Sequence, residues 1–311
     1  MRARSKRPWR SASLAFISLF VLWTIGCGDR EAANSVNVEA PQSFRLGLIP
    51  ERNLFHQMDR YEPLAAYLST RVGVKVELKV LPRYADVIDG FVSSDLDGAF
   101  LGSLGGALAL VRLGVEPLAR PERTDGTSTY RGLIIVRKDS GIATGADMKG
   151  KRFVFVDTMT TAGWLLPLHY FKDQGVDDYR SWFKEFYFAG THDGAIVDVL
   201  EGRADVGGAK STVFDALAND DPRISKELSI LAKSPEVPAN GLFVRKGIDG
   251  TLKNRLKLVL LGMGQDEESK KALSALGASK FVESTPQDYK TVFEFAESVD
   301  IDLKTYDYMI D

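Results

Sequence analysis

The chain has 311 residues, 44% hydrophobic and 26% charged, with a formal net charge of −2. That balance excludes a nucleic-acid binder working through a broad basic face. One cysteine and three histidines exclude an intrachain disulfide and give no transition-metal pattern.

The N-terminus is basic, with Arg2, Arg4, Lys6, Arg7 and Arg10, and an apolar run from Leu14 to Gly26 follows. The run is shorter than the roughly 20 residues of a spanning helix and has the flanks of a secretory signal. It ends in Trp23-Thr24-Ile25-Gly26-Cys27, and a small residue directly before Cys resembles a bacterial lipoprotein processing site. Thr24 stands where such sites usually carry Leu, and the other reading of Cys27 is an ordinary thiol in an uncleaved anchor. We expect a signal peptide over residues 1–26, lipidation at Cys27 and a flexible tether over 27–43. Cleavage would remove five of the 40 basic residues and no acidic one, leaving 35 against 42, formally −7. An anion ligand must then be held by local donors and dipoles. About 270 remaining residues suit two domains.

Phe44 to Ile49 reads as a first strand, ending at Pro50-Glu51. Asp59 is a plausible helix cap, with Pro63 in the first turn and an apolar face at Leu64, Ala65, Tyr67 and Leu68. Val74 to Leu81 alternates as a strand, and Tyr84 to Phe91 reads as a helix. Gly98 to Leu101 is a short strand, and Gly102-Ser103-Leu104-Gly105-Gly106 opens another helix; the glycine pair serves either close packing or a ligand. Val115 to Leu118 is short and extended. Thr129 to Val136 is a strand with Tyr130 near its start.

Phe153-Val154-Phe155-Val156 is a buried strand that runs into Thr160-Thr161-Ala162-Gly163 and a helix. A strand feeding a helix through small residues leaves backbone N–H groups off the helix start, and the positive end of the dipole makes this an anion site. Thr160 and Thr161 can add hydroxyl donors. The plainer reading is a helix cap. Pro167 fits a first turn. Phe183 to Phe188 is a strand, followed by Gly190 to Gly194 and a helix through Leu200. Ala204 to Gly208 is a strand; Lys210 and Ser211 follow it and can point into a cleft. Leu228 to Ala232 and Asn240 to Val244 are extended, and Leu252 to Tyr289 is mainly helical. This alternation predicts an α/β fold with mostly parallel pairing, helices on both faces and ligands beyond the carboxyl ends of strands.

Several segments in order resemble one family: Gly47-Leu48-Ile49-Pro50, Tyr61 to Leu68, Tyr130 to Arg137 with Asp139 to Ile142, and Asp147 to Lys151. Thr160 to Gly163 with Pro167, Gly190-Thr191-His192-Asp193, Gly202 to Asp205 and Ser234 to Pro238 complete the set. Together they are similar to the phosphate/phosphite/phosphonate substrate-binding proteins of ABC transporters. The resemblance implies a type II periplasmic-binding-protein fold: two α/β lobes, two hinge crossings near Tyr130 and Asn240, and a ligand between them. Residues 44–129 and 245–311 would form one lobe and 130–244 the other. The family usually holds its oxyanion with a Ser-Thr-Ser-Gly turn, so Thr160, Thr161 and Ala162 are the matching positions, and Ala162 lacks the third hydroxyl. Ser103 is expected to donate from the opposite lobe.

In the family His followed by an acid lines the site; His192 can donate to an anion and Asp193 can accept an ammonium, or the two cap and pack at the helix start. Tyr130 either reaches the ligand or packs at the hinge. Asp205 reads as a structural hydrogen-bonding group, and Trp164 and Trp182 as core. The expected function is an extracytoplasmic lipoprotein on the periplasmic or extracellular face of a bacterial membrane. It would bind a small oxyanion as a monomer and deliver it to a permease, without cofactor, metal or nucleic acid. A sensory binding protein presenting its bound form to a histidine-kinase ectodomain is the alternative. An enzyme is disfavoured, since no nucleophile–base motif, Gly-x-Ser-x-Gly or nucleotide loop occurs.

Overall fold

Two mixed sheets organise residues 43–309, the part of the chain described by the computed structural model. The expected leader, Cys27 and all but the last residue of the tether lie outside the described residues. The chain opens with β1 (Ser43–Leu48), α1 (Leu54–Val72), β2 (Lys75–Val80), α2 (Asp86–Val92), β3 (Gly98–Leu101), α3 (Ser103–Leu113) and β4 (Glu116–Arg123). A second region holds β5 (Thr129–Arg137), β6 (Arg152–Phe155), α4 (Leu166–Asp173), α5 (Tyr179–Trp182) and β7 (Glu185–Phe188). It continues through α6 (His192–Leu200), β8 (Val206–Lys210), α7 (Ser211–Asp220), α8 (Arg223–Glu227) and β9 (Leu228–Pro238). The chain returns through β10 (Gly241–Val244), α9 (Gly250–Leu261), α10 (Glu267–Leu276), β11 (Ala278–Glu283) and α11 (Lys290–Ser298).

The first sheet has the order β11-β4-β10-β3-β1-β2 and the second β7-β6-β8-β5-β9. Pairing is parallel among β1, β2 and β3 and among β6, β7 and β8. It turns antiparallel where β10, β11, β5 and β9 join. The mostly parallel pairing expected from the alternation thus holds only in part: β10 and β11 return to the first sheet from late in the chain, and in the second sheet β5 runs against both β8 and β9. Between the sheets the chain crosses at residues 124–128 and again at 239–240.

Three local readings change. Asn53, not Asp59, caps α1: its side chain accepts the Phe55 N–H. Pro63 therefore sits inside the helix, where its missing N–H leaves one carbonyl unpaired on a half-exposed face. The region read as helical after Leu252 contains β11, whose buried residues are only Ala278 and Phe281. β4 runs to Arg123 despite Pro117 and Pro121, pairing with β10 and β11.

One face of the first sheet packs on α1, α9 and α10 through Leu46, Leu64, Leu68, Phe100, Leu256 and Leu273, all buried. The apolar residues of its other face, including Leu101, Leu104 and Leu108, run continuously into the core of the second lobe around Phe153, Phe155 and Leu165. The C-terminal helix contributes to that continuity, since His169 Nδ1 of α4 pairs with Ser298 Oγ of α11 at 2.9 Å.

Candidate functional site

Two helix starts face each other across the cleft. β3 ends at Leu101, Gly102 is extended, and α3 begins at Ser103. Opposite, β6 runs into Thr160, also extended, and the chain makes a wide π-type turn over Thr161–Leu165 before α4 begins. Pro167 lies in the first turn of α4, where its missing N–H costs nothing. Both starts leave N–H groups without helical partners. They are tied together by the Leu104 N–H, which donates to Thr161 Oγ1 at 2.7 Å.

The glycine pair of α3 divides its duties. A side chain at Gly106 would meet the Phe243 ring at 2.4 Å, so Gly106 serves packing. Nothing lies closer than 3.9 Å to a Cβ at Gly105, and Gly105 lines a small cavity of ≈ 20 Å³ between the helix starts. Ile49, Glu51, Tyr84, Met159, Thr160, Thr161 and His192 form much of its wall. Tyr130, Lys210 and Asn240 complete the far side, and with Glu51 they divide it from a neighbouring cavity of ≈ 80 Å³.

Charge on this wall is concentrated in one buried cluster. Lys210 Nζ donates to Glu51 Oε1 and, at 2.8 Å, to Asn240 Oδ1. Arg60 donates to the other Glu51 oxygen at 3.2 Å. Burial alone would raise the Glu51 carboxyl, but the charges of Lys210 and Arg60 outweigh it and hold it well below the usual carboxylate range. Lys210 lies 4.4 Å from the Tyr130 ring centroid, a cation–π distance. Tyr130 OH pairs with Ser103 Oγ at 2.8 Å, and burial pushes its pKa up to about 12.

Two groups on the wall have no partner. Tyr84 OH and His192 Nδ1 are among the four buried side-chain polar atoms without a hydrogen bond in the described residues. Burial lowers His192 to about 4, with the Lys210 charge acting in the same direction, so the ring is neutral near pH 7. Its backbone N–H donates to the Glu51 carbonyl at 3.2 Å, holding α6 against the end of β1. A buried donor or acceptor left unpaired costs about 1–3 kcal/mol. Both groups belong to residues that line this one cavity.

A family model described as the phosphonate periplasmic substrate-binding protein of ABC transporters matches residues 46–289. The chain belongs to this family. It is 29% identical to a phosphonates-binding periplasmic protein of Escherichia coli, over 87% of this chain and 79% of the other. Identity is 25% to a probable ABC-transporter phosphite-binding protein of Prochlorococcus marinus, covering 83% and 90% of the two chains. Among solved structures it resembles a binding-protein component of an ABC phosphonate transporter from Pseudomonas aeruginosa, with 25% identity, a TM-score of 0.78, and 83% and 86% of the two chains covered. A Prochlorococcus marinus protein solved with methylphosphonate shares the fold at a TM-score of 0.76 and 22% identity, over 84% and 99%. The fold is the two-lobed type II arrangement, and the family consists of transporter substrate-binding proteins rather than enzymes.

The cavity carries some of the expected residues on its wall and others behind it. Thr160, Thr161, Tyr130 and His192 stand on its wall. Three other expected residues stand behind it. Ser103 is fully buried, with its hydroxyl between Tyr130 OH and the Pro238 carbonyl, to which it donates at 2.9 Å. Ala162 packs toward Gly132 and Gly208. The Asp193 carboxylate accepts from the Asn53 N–H at 3.0 Å and the Gly194 N–H at 2.9 Å, so it latches the start of α1 to the start of α6. The Thr160 hydroxyl donates to the Asp157 carbonyl at 2.6 Å. Asp205 accepts from the Arg152 backbone and guanidinium, the structural role expected of it. Tyr84 and Glu51 carried no local signal: one reads as the start of a helix, the other as the residue after a strand.

Proposed function

We propose that this protein captures a small phosphorus oxyanion (a phosphonate, phosphite or phosphate) between its lobes and delivers it to an ABC permease. The observation that carries the reading is the pair of unpartnered buried groups, Tyr84 OH and His192 Nδ1, on residues that line one cavity beside the Thr160–Gly163 turn. In its bond with Leu104 the Thr161 hydroxyl accepts, and a ligand would share its proton with the neighbouring Tyr130 hydroxyl. The helix-start N–H groups add donors, and the site needs no large basic surface to hold an anion. The names of the relatives point to the same chemistry: phosphonates, phosphite and, in a Mycolicibacterium smegmatis protein 29% identical over 224 residues, phosphate import. We further infer that Cys27 carries a lipid that tethers the mature protein, as a monomer, to the outer side of the membrane.

Calorimetry with phosphate, phosphite, methylphosphonate and sulfate tests the reading. At least one phosphorus oxyanion should bind with micromolar or better affinity and sulfate should not compete. A flat response to all three phosphorus anions at millimolar concentration overturns it.

A further inference from the structure

The cavity wall holds a fixed cation and no free anion. Glu51 is the only carboxylate on that wall among the described residues, and it is fully engaged. One oxygen takes Lys210 and Asn240, the second takes Arg60. The other acids of the region do not line this wall: Asp193 accepts from the Asn53 and Gly194 amides, and one oxygen of Asp157 accepts from the Met159 amide at 2.8 Å. Lys210 itself is 5% exposed, and it stands in the partition that separates the small cavity from its larger neighbour. A ligand substituent that extends from the small cavity toward the larger one therefore meets an ammonium.

We propose that Lys210 makes this site select against zwitterionic ligands, so that phosphonates bearing an amino group are rejected while uncharged substituents of the same size are not. The proposal rests on the oxyanion reading above and deepens it. Like charges a few ångströms apart in a poorly solvated site repel strongly, and the substrate ammonium would also lose its hydration without gaining a carboxylate. Lys210, Arg60 and Arg123 line the larger cavity against one carboxylate, Glu51, among the described residues, which opposes an incoming cation there.

Ethylphosphonate and aminomethylphosphonate have the same number of heavy atoms and differ by an ammonium in place of a methyl group, so they separate a cationic substituent from volume. Calorimetry at neutral pH should show ethylphosphonate binding at least about tenfold more tightly than aminomethylphosphonate. In Lys210→Gln, which leaves one Glu51 oxygen free of its charged partner, the ratio should fall toward one or reverse. Equal affinities in the wild type overturn the proposal. So does rejection of both compounds by a protein that binds methylphosphonate, since volume would then be the filter. A ratio unchanged in a folded Lys210→Gln protein overturns it as well; if that variant does not fold, the wild-type ratio decides. Absence of binding by every phosphorus anion removes the oxyanion reading along with this one, a result distinct from the others.

Discussion

The Thr161 hydroxyl accepts the Leu104 N–H at 2.7 Å, so one side chain joins the helix starts of both lobes. Its proton is the donor we propose for a ligand, shared with the neighbouring Tyr130 hydroxyl. Thr161→Ala removes the inter-lobe acceptor and the ligand donor together and leaves the aromatic core beneath it in place. Affinity for the best phosphorus oxyanion should fall tenfold to a hundredfold, about 1–3 kcal/mol, and Thr161→Ser should restore most of it. Calorimetry on the three proteins measures this, and unchanged affinity in Thr161→Ala would reduce the turn to a helix cap.

His192 predicts a pH dependence. Its pKa is near 4 in the folded protein against 6.5 for the free side chain. Between those values the unfolded chain binds more protons, so stability rises with pH through this window and is lost as pH falls from 6.5 toward 4. The full effect is roughly 3 kcal/mol. Asp157, raised by burial to about 6, acts in the opposite direction between its ordinary value and 6. The difference between wild type and His192→Gln cancels that contribution. Denaturant melts of both proteins across pH 4–7.5 should differ by a constant amount above 6.5, and below it the wild type should lose roughly 3 kcal/mol relative to His192→Gln as pH falls toward 4; parallel curves would mean that His192 does not titrate in this way.

Much of this was legible because the signals are local. The strand alternation, the Thr-Thr-Ala-Gly turn and Pro167 at the start of α4 each sit within a few consecutive residues. β11 was not legible, because only Ala278 and Phe281 of its six residues are buried and a weakly alternating edge strand looks like the helical run beside it. The Glu51–Lys210 pair spans 159 positions. A single charged residue at the end of a strand gives no sign of its partner until the lobes come together. Ser103 and Asp193 stand close to the cavity in sequence terms, but the side chain of each is turned to a partner far along the chain, Pro238 and Asn53, that the sequence alone does not specify.

That Glu51–Lys210 pair should be energetically lopsided. Removing one partner of a buried ion pair leaves an uncompensated charge and costs about 3–5 kcal/mol. Glu51→Gln is the harsher change, since it strands both Lys210 and Arg60. The double variant Glu51→Gln/Lys210→Met should be more stable than the sum of the single losses implies, by at least ~1 kcal/mol. Urea unfolding of the four proteins gives the coupling. Strict additivity would show that the pair does not interact in the folded state.

Cys27 should govern where the protein is found. If it is lipidated, Cys27→Ser releases the protein from the membrane fraction or leaves the leader uncut, as read by fractionation and intact mass. Identical fractionation and mass of wild type and variant would count against the anchor.

The two glycines of α3 should respond to alanine with opposite signs. At Gly106 a Cβ meets the Phe243 ring at 2.4 Å, and Phe243 is fully buried and cannot retreat. Gly106→Ala should therefore destabilise by about 1–3 kcal/mol, the usual cost of overpacking, and ligand affinity should follow only through that loss. At Gly105 the nearest atoms are 3.9 Å away, so the methyl group fits the fold. Alanine is also the better helix former, by roughly 0.8–1 kcal/mol in an exposed helix interior. Gly105→Ala should keep or raise the melting temperature. The same methyl group enters a cavity of only ≈ 20 Å³, where it takes space from the ligand, and affinity for phosphite or methylphosphonate should drop at least about tenfold. Thermal melts with and without ligand separate the two cases: Gly106→Ala lowers the ligand-free transition, whereas Gly105→Ala spares it and shrinks the ligand-induced shift. A normal shift in Gly105→Ala would place the ligand away from the start of α3.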